Sequence, residues 1–127
     1  MVREACVETV EEAIKAEANG ADQIEFCSRI DLDGLTPDFN VIKKVLFSIK
    51  IPVKVMIRCR SGNFSYNDLE ISKMGYEIEE CKKLGVNEVT LGCITKKNEI
   101  DILATKLLVE KAYPMEVTFH KAIDLTN

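Results

Sequence analysis

A chain of 127 residues is the size of one domain, and 46% hydrophobic with 30% charged residues suits a soluble globular protein. The net charge of −4 is dispersed with no basic stripe, which argues against a nucleic-acid partner. No apolar run approaches the roughly 20 residues that cross a bilayer, and the opening Met1-Val2-Arg3-Glu4 lacks the apolar stretch of a signal peptide. A cytoplasmic protein without membrane contact is expected.

Short runs rich in Val, Ile and Phe alternate with longer helical patterns. The strands are predicted at residues 2–7, 23–27, 53–58, 88–92 and 115–120. After the first strand, Thr9 and Glu12 have capping-box spacing, and Gly20 stops the helix. After the second, Thr36 before Pro37 reads as an N-cap followed by proline at the first helical position. Ile42, Val45, Leu46 and Ile49 then form an apolar stripe. After the third, Asn67 and Glu70 repeat the capping box, Ile71, Met74, Ile78 and Cys81 make the stripe, and Gly85 ends the helix. The fourth helix, 101–112, carries Leu103, Ala104, Leu107, Leu108 and Ala112 on one face.

The segment Gly20-Ala21-Asp22-Gln23-Ile24-Glu25 is echoed by Gly85-Val86-Asn87-Glu88-Val89-Thr90, and Pro52-Val53-Lys54-Val55 by Pro114-Met115-Glu116-Val117. Each echo lies roughly 60 residues on, about two βα units of a parallel sheet with crossover helices. The strands have one apolar face (Ala5, Val7, Ile24, Phe26, Val55, Ile57, Val89, Leu91, Val117, Phe119). The other face is largely polar: Glu4, Cys6, Glu25, Cys27, Met56, Arg58, Thr90, Thr118, His120. Strands of an open α/β sheet covered on both sides would be apolar throughout. An α/β fold of the parallel (β/α)8 TIM-barrel type follows, incomplete, with five strands and four helices in one partial domain, 1–127. The alternative is an open sheet with one wet face.

Barrels of this type place functional groups where strands end. That rule gathers Cys6, with Glu4 below it, then Glu25, Cys27, Arg58, His120 and Asp124. An inward charge needs a partner, so Arg58 is expected beside Glu25. As a catalytic set, Arg58 supplies fixed positive charge, while Glu25 or His120 handles protons and Asp124 orients the ring. The long loop from Cys59 to Asn67 offers Arg60, Ser61 and Gly62 to a small anionic ligand. The glycine-rich nucleotide fingerprints are missing, so no nucleotide cofactor is expected. The five cysteines, Cys6, Cys27, Cys59, Cys81 and Cys93, form no Cys-x-x-Cys pair and read mainly as buried packing groups. Cys6 and Cys27 end neighbouring strands on one face and could converge as soft ligands, with Met56 as a thioether.

These motifs together resemble the CutC family. Glu4-Ala5-Cys6-Val7 is similar to its opening strand, and Gly20 to Cys27 to its second. Gly34-Leu35-Thr36-Pro37 resembles the next loop. Pro52 to Arg58, then Arg60, Gly62 and Phe64, resembles its most characteristic stretch. Leu91-Gly92-Cys93-Ile94-Thr95 and Val117 to Asp124 resemble the fourth and fifth strands. The resemblance implies a barrel with three further strands, a cytosolic setting and copper homeostasis, with Cu(I) as the expected metal at Cys6 and Cys27. Cys59 stands where the family usually has proline and Cys93 where it has a small residue, while Lys121 replaces an arginine and Ile123 a phenylalanine. Three readings stay open: a copper-handling protein, an enzyme on a small anionic or polar metabolite, and an inactive, self-associating partial barrel. Two open sheet edges make a homo-oligomer the expected state.

Overall fold

The computed structural model describes residues 2–119. Five strands, β1 (Glu4–Val7), β2 (Gln23–Phe26), β3 (Val53–Met56), β4 (Glu88–Leu91) and β5 (Glu116–Phe119), alternate with four helices. The helices are α1 (Val10–Ala18), α2 (Phe39–Ser48), α3 (Asp68–Leu84) and α4 (Ile102–Ala112). Every strand pairs parallel to its sequence neighbour, in the order β1-β2-β3-β4-β5. This is the topology of a β/α barrel wall.

Local chemistry sets most boundaries. The Thr9 hydroxyl accepts from the Glu12 amide at the start of α1. Asn67 and Glu70 close a complete capping box on α3. Gly85, just past Leu84, has φ +92°, a conformation that costs glycine no Cβ clash. One expected boundary fails. Thr36 does not cap α2; the helix starts at Phe39, and the Asp38 carboxylate accepts from the Asn40 amide. The Thr36 hydroxyl is already committed elsewhere, accepting from the Arg58 amide at 2.8 Å and donating to Glu77 at 3.0 Å.

The alternation of the strands divides the core. Ile24, Phe26, Val55, Ile57, Val89 and Leu91 are fully buried against Ala13 of α1, Ile42 and Val45 of α2, and Met74, Ile78 and Cys81 of α3. The stripe on α4 is covered only in part. Leu108 and Ala112 are buried, but Leu103 is 83% and Leu107 43% exposed. The α4 helix packs on α3 along one flank only, so the other half of its apolar face meets no helix among the described residues. No helix among those residues is long and apolar enough to cross a membrane.

Candidate functional site

The inner face of the sheet is arranged in rows. Cys6, Glu25, Lys54, Glu88 and Glu116 are register neighbours across the five strands. Met56, Thr90 and Thr118 form the row above, and Arg58 lies beyond the end of β3. A cavity of about 360 Å³ opens at the strand ends. Cys6, Glu25, Cys27, Met56 and Arg58 line it from the sheet side. Ile30, Asp33, Gly34 and Phe64 line it from the loops.

Its sulfur atoms converge. The Cys6 and Cys27 Sγ atoms lie 3.9 Å apart, within reach of a weak thiol hydrogen bond. Gly34, at φ +93°, comes so close that a Cβ there would sit 3.2 Å from the Met56 methyl and 3.5 Å from the Cys27 sulfur. Glycine therefore leaves two thiols and a thioether sharing one corner. Burial pushes the Cys27 thiol up to about 12, with the neighbouring Cys6 adding to the effect. Burial, then the Glu25 charge, also raises Cys6. Both are neutral thiols at neutral pH. Cys81 and Cys93 are buried packing groups, each also raised to about 12 by burial.

Glu25 does not pair with Arg58 as the sequence suggested. Lys54 stands directly across from Glu25 in register and supplies the nearby positive charge. Its ammonium lies 3.0 Å from Glu4 and 3.6 Å from Glu88. Burial alone would lower the lysine, but Glu4, Glu88 and Glu25 outweigh it and leave it raised. Glu25 itself is pushed up, first by burial and then by repulsion from Glu4, with Lys54 opposing. Gln23 donates to Glu4, and Thr118 to Glu88. Lys54 was legible in principle, since it alternates with Met56 and Arg58 along one face.

Arg58 is 3% exposed and holds the loops. It donates to the carbonyls of Leu32 (2.7 Å), Gly34 (3.1 Å) and Gly62 (2.8 Å) and stacks 4.7 Å over Phe64. Its Nε is buried with no hydrogen-bond partner among the described residues. Arg60 is likewise spent on its own loop: it pairs with Glu70, donates to Asn63 and Ser65, and stacks on Tyr66. Arg60, Ser61 and Gly62 stand outside the cavity lining, and so does Glu4, one row below Glu25. The structure thus brings together Cys6, Cys27, Glu25 and Arg58. His120 and Asp124 lie outside the described residues. Among those residues, no group of three or more His, Cys, Asp or Glu side chains is placed to hold a metal ion.

The model of the CutC family matches residues 1–127. The chain belongs to the CutC family. It is 42% identical over 124 residues to a CutC family protein of Histophilus somni, covering 98% of this chain and 51% of that protein. It is 41% identical to the human copper homeostasis protein cutC homolog, covering 98% of this chain and 45% of the relative. It therefore spans about half the length of these curated CutC relatives. A solved CutC structure from Streptococcus agalactiae superposes on 100% of this chain and 62% of that one, with a TM-score of 0.94 and 33% identity. Thiamine phosphate pyrophosphorylase from Pyrococcus furiosus shares the fold, at TM-score 0.57 and 23% identity, over 88% of this chain and 48% of that one.

Proposed function

We propose that this chain takes part in cytosolic copper homeostasis by binding Cu(I) at Cys6 and Cys27, with Met56 as the neighbouring thioether. The observation that carries the reading is the 3.9 Å approach of two thiols from adjacent strands in the wall of a cavity. Soft sulfur donors select Cu(I) over harder divalent ions. The copper-homeostasis name of the human relative supports the same assignment. Copper is here the cargo. The protein supplies soft donors, one exposed on β1 and one buried just past β2, and a glycine that keeps the corner open. Binding displaces the protons of the two neutral thiols.

The test is competition for Cu(I) against a colorimetric chelator under reducing conditions. The expected result is one Cu(I) per chain, with affinity lowered at least ~10-fold in Cys6→Ser and in Cys27→Ser, and less in Met56→Leu. Equal affinity in the parent and the double serine variant would remove these thiols from the account.

A second reading rests on Arg58 and Glu25, which both line the cavity, the arginine with a buried Nε that has no hydrogen-bond partner among the described residues. A guanidinium there, with Glu25 nearby, suits a small anionic metabolite and acid–base chemistry on it. Addition of inorganic phosphate or small carboxylates should then raise the melting temperature, and no shift with any of them contradicts this reading.

A further inference from the structure

The two thiols of the cavity corner differ sharply in accessibility. Cys6 is exposed on β1, whereas Cys27, just past β2, is buried. Main chain sets their approach. Cys6 faces Glu25 in register, Val7 faces Phe26, and the Cys27 amide extends the ladder by donating to the Val7 carbonyl at 3.1 Å. The Sγ atoms stand 3.9 Å apart, and a disulfide needs about 2.05 Å. Side-chain rotation can close that gap, because Gly34 carries no side chain to fill the space beside Cys27 and Met56. Cys81 and Cys93 are buried in the helix-facing packing, away from this exposed entry.

We propose, resting on the copper reading for its consequence, that Cys6 and Cys27 form a redox gate. A low-molecular-weight disulfide oxidises them to an internal disulfide, which removes both thiols as Cu(I) donors. The Cys6 sulfur, giving up its proton, attacks one sulfur of the small disulfide. The other sulfur leaves as a thiol, and a mixed disulfide remains on Cys6. The Cys27 sulfur then attacks the Cys6 sulfur and expels the second small thiol, which takes the Cys27 proton. Two protein thiols are oxidised, one small disulfide is reduced to two thiols, and no other reactant is needed. Burial fixes the order, since the small disulfide reaches Cys6 and not Cys27. An excess of small thiol reverses both steps. Bridges of this kind in reducing compartments are transient.

The experiment treats the reduced, metal-free chain with oxidised glutathione. Trypsin separates the two cysteines into peptides 4–15 and 16–29, so mass spectrometry reads the bridge directly. A linked pair of these peptides is expected, two hydrogens lighter than their sum. Cys27→Ser should stop at one glutathione on Cys6, and Cys6→Ser should leave Cys27 unmodified. Cys27→Ala, which buries no hydroxyl, gives the same reading should the serine variant unfold. With ascorbate holding copper as Cu(I) and leaving disulfides intact, the bridged chain should bind Cu(I) at least ~10-fold more weakly than the reduced one, and dithiothreitol should restore binding. Three outcomes overturn the inference: no linked peptide, glutathione persisting on Cys6 in the parent, or a bridged chain with undiminished affinity. A reduced chain without Cu(I) affinity would instead overturn the copper reading and the gating role with it, while the linked peptide would still report the bridge.

Discussion

The two ends of the inner face solve the same electrostatic problem in different ways. At the mouth, the terminal nitrogens of Arg58 and the side chain of Arg60 find partners among the described residues, in loop carbonyls, in Glu70 and in the rings of Phe64 and Tyr66. At the base, one lysine is shared among carboxylates on both sides, and the row ends at β5, which pairs on one side only among the described residues. The difference teaches that at the mouth neutral carbonyls and aromatic rings hold the arginines, whereas at the base one lysine balances several carboxylates.

Substitutions can break that contrast. The largest effect is expected at the mouth. Arg58→Ala strands three carbonyls and should cost about 3 kcal/mol in denaturant unfolding; a loss below about 1 kcal/mol would mean that the loops hold themselves. Gly34→Ala comes next, at about 2 kcal/mol, because the position needs φ +93° and the new methyl meets Met56. It should weaken Cu(I) binding at the same time, so unchanged binding would place the metal away from this corner. At the base, Lys54→Met should cost about 1–2 kcal/mol, moderated by the partial exposure of Glu4 and Glu88. A neutral result would show the row to be well hydrated.

The smallest effect has the opposite sign. Glu77 is 7% exposed behind the mouth and is raised mainly by burial, although the Thr36 hydroxyl opposes the shift. A carboxyl raised on folding contributes stability that is full below its ordinary value of 4.5. That contribution is lost as the pH climbs through the higher native value. Glu77→Gln keeps an acceptor for Thr36 and should gain about 1 kcal/mol at neutral pH, with the gain vanishing in acid. A gain that persists at low pH would point to packing rather than charge.

Much of this was legible in the residues. Alternation along β1 to β5 separated the two faces, and side-chain hydroxyl or amide caps at Thr9 and Asn67 marked helix starts. What was not legible depended on distance. Thr36 looked like a cap because Pro37 follows it, but its hydroxyl is used by Glu77, some forty residues away in α3, and by the Arg58 amide. Arg58 looked like the partner of Glu25 because both charges point inward. Register instead set Lys54 beside Glu25, and the curl of two loops brought neutral carbonyls to the arginine. The stripe of α4 was read correctly as apolar. That half of it is exposed follows from what packs beside it, which local periodicity does not record.

The account turns on sulfur at the mouth, and X-ray absorption at the copper edge addresses it most directly. In the one-to-one Cu(I) complex of the reduced chain, two or three sulfur neighbours and no nitrogen or oxygen shell are predicted, with the sulfur shell lost in Cys6→Ser/Cys27→Ser. A shell of nitrogen or oxygen in the parent, or sulfur that survives the double substitution, would contradict it.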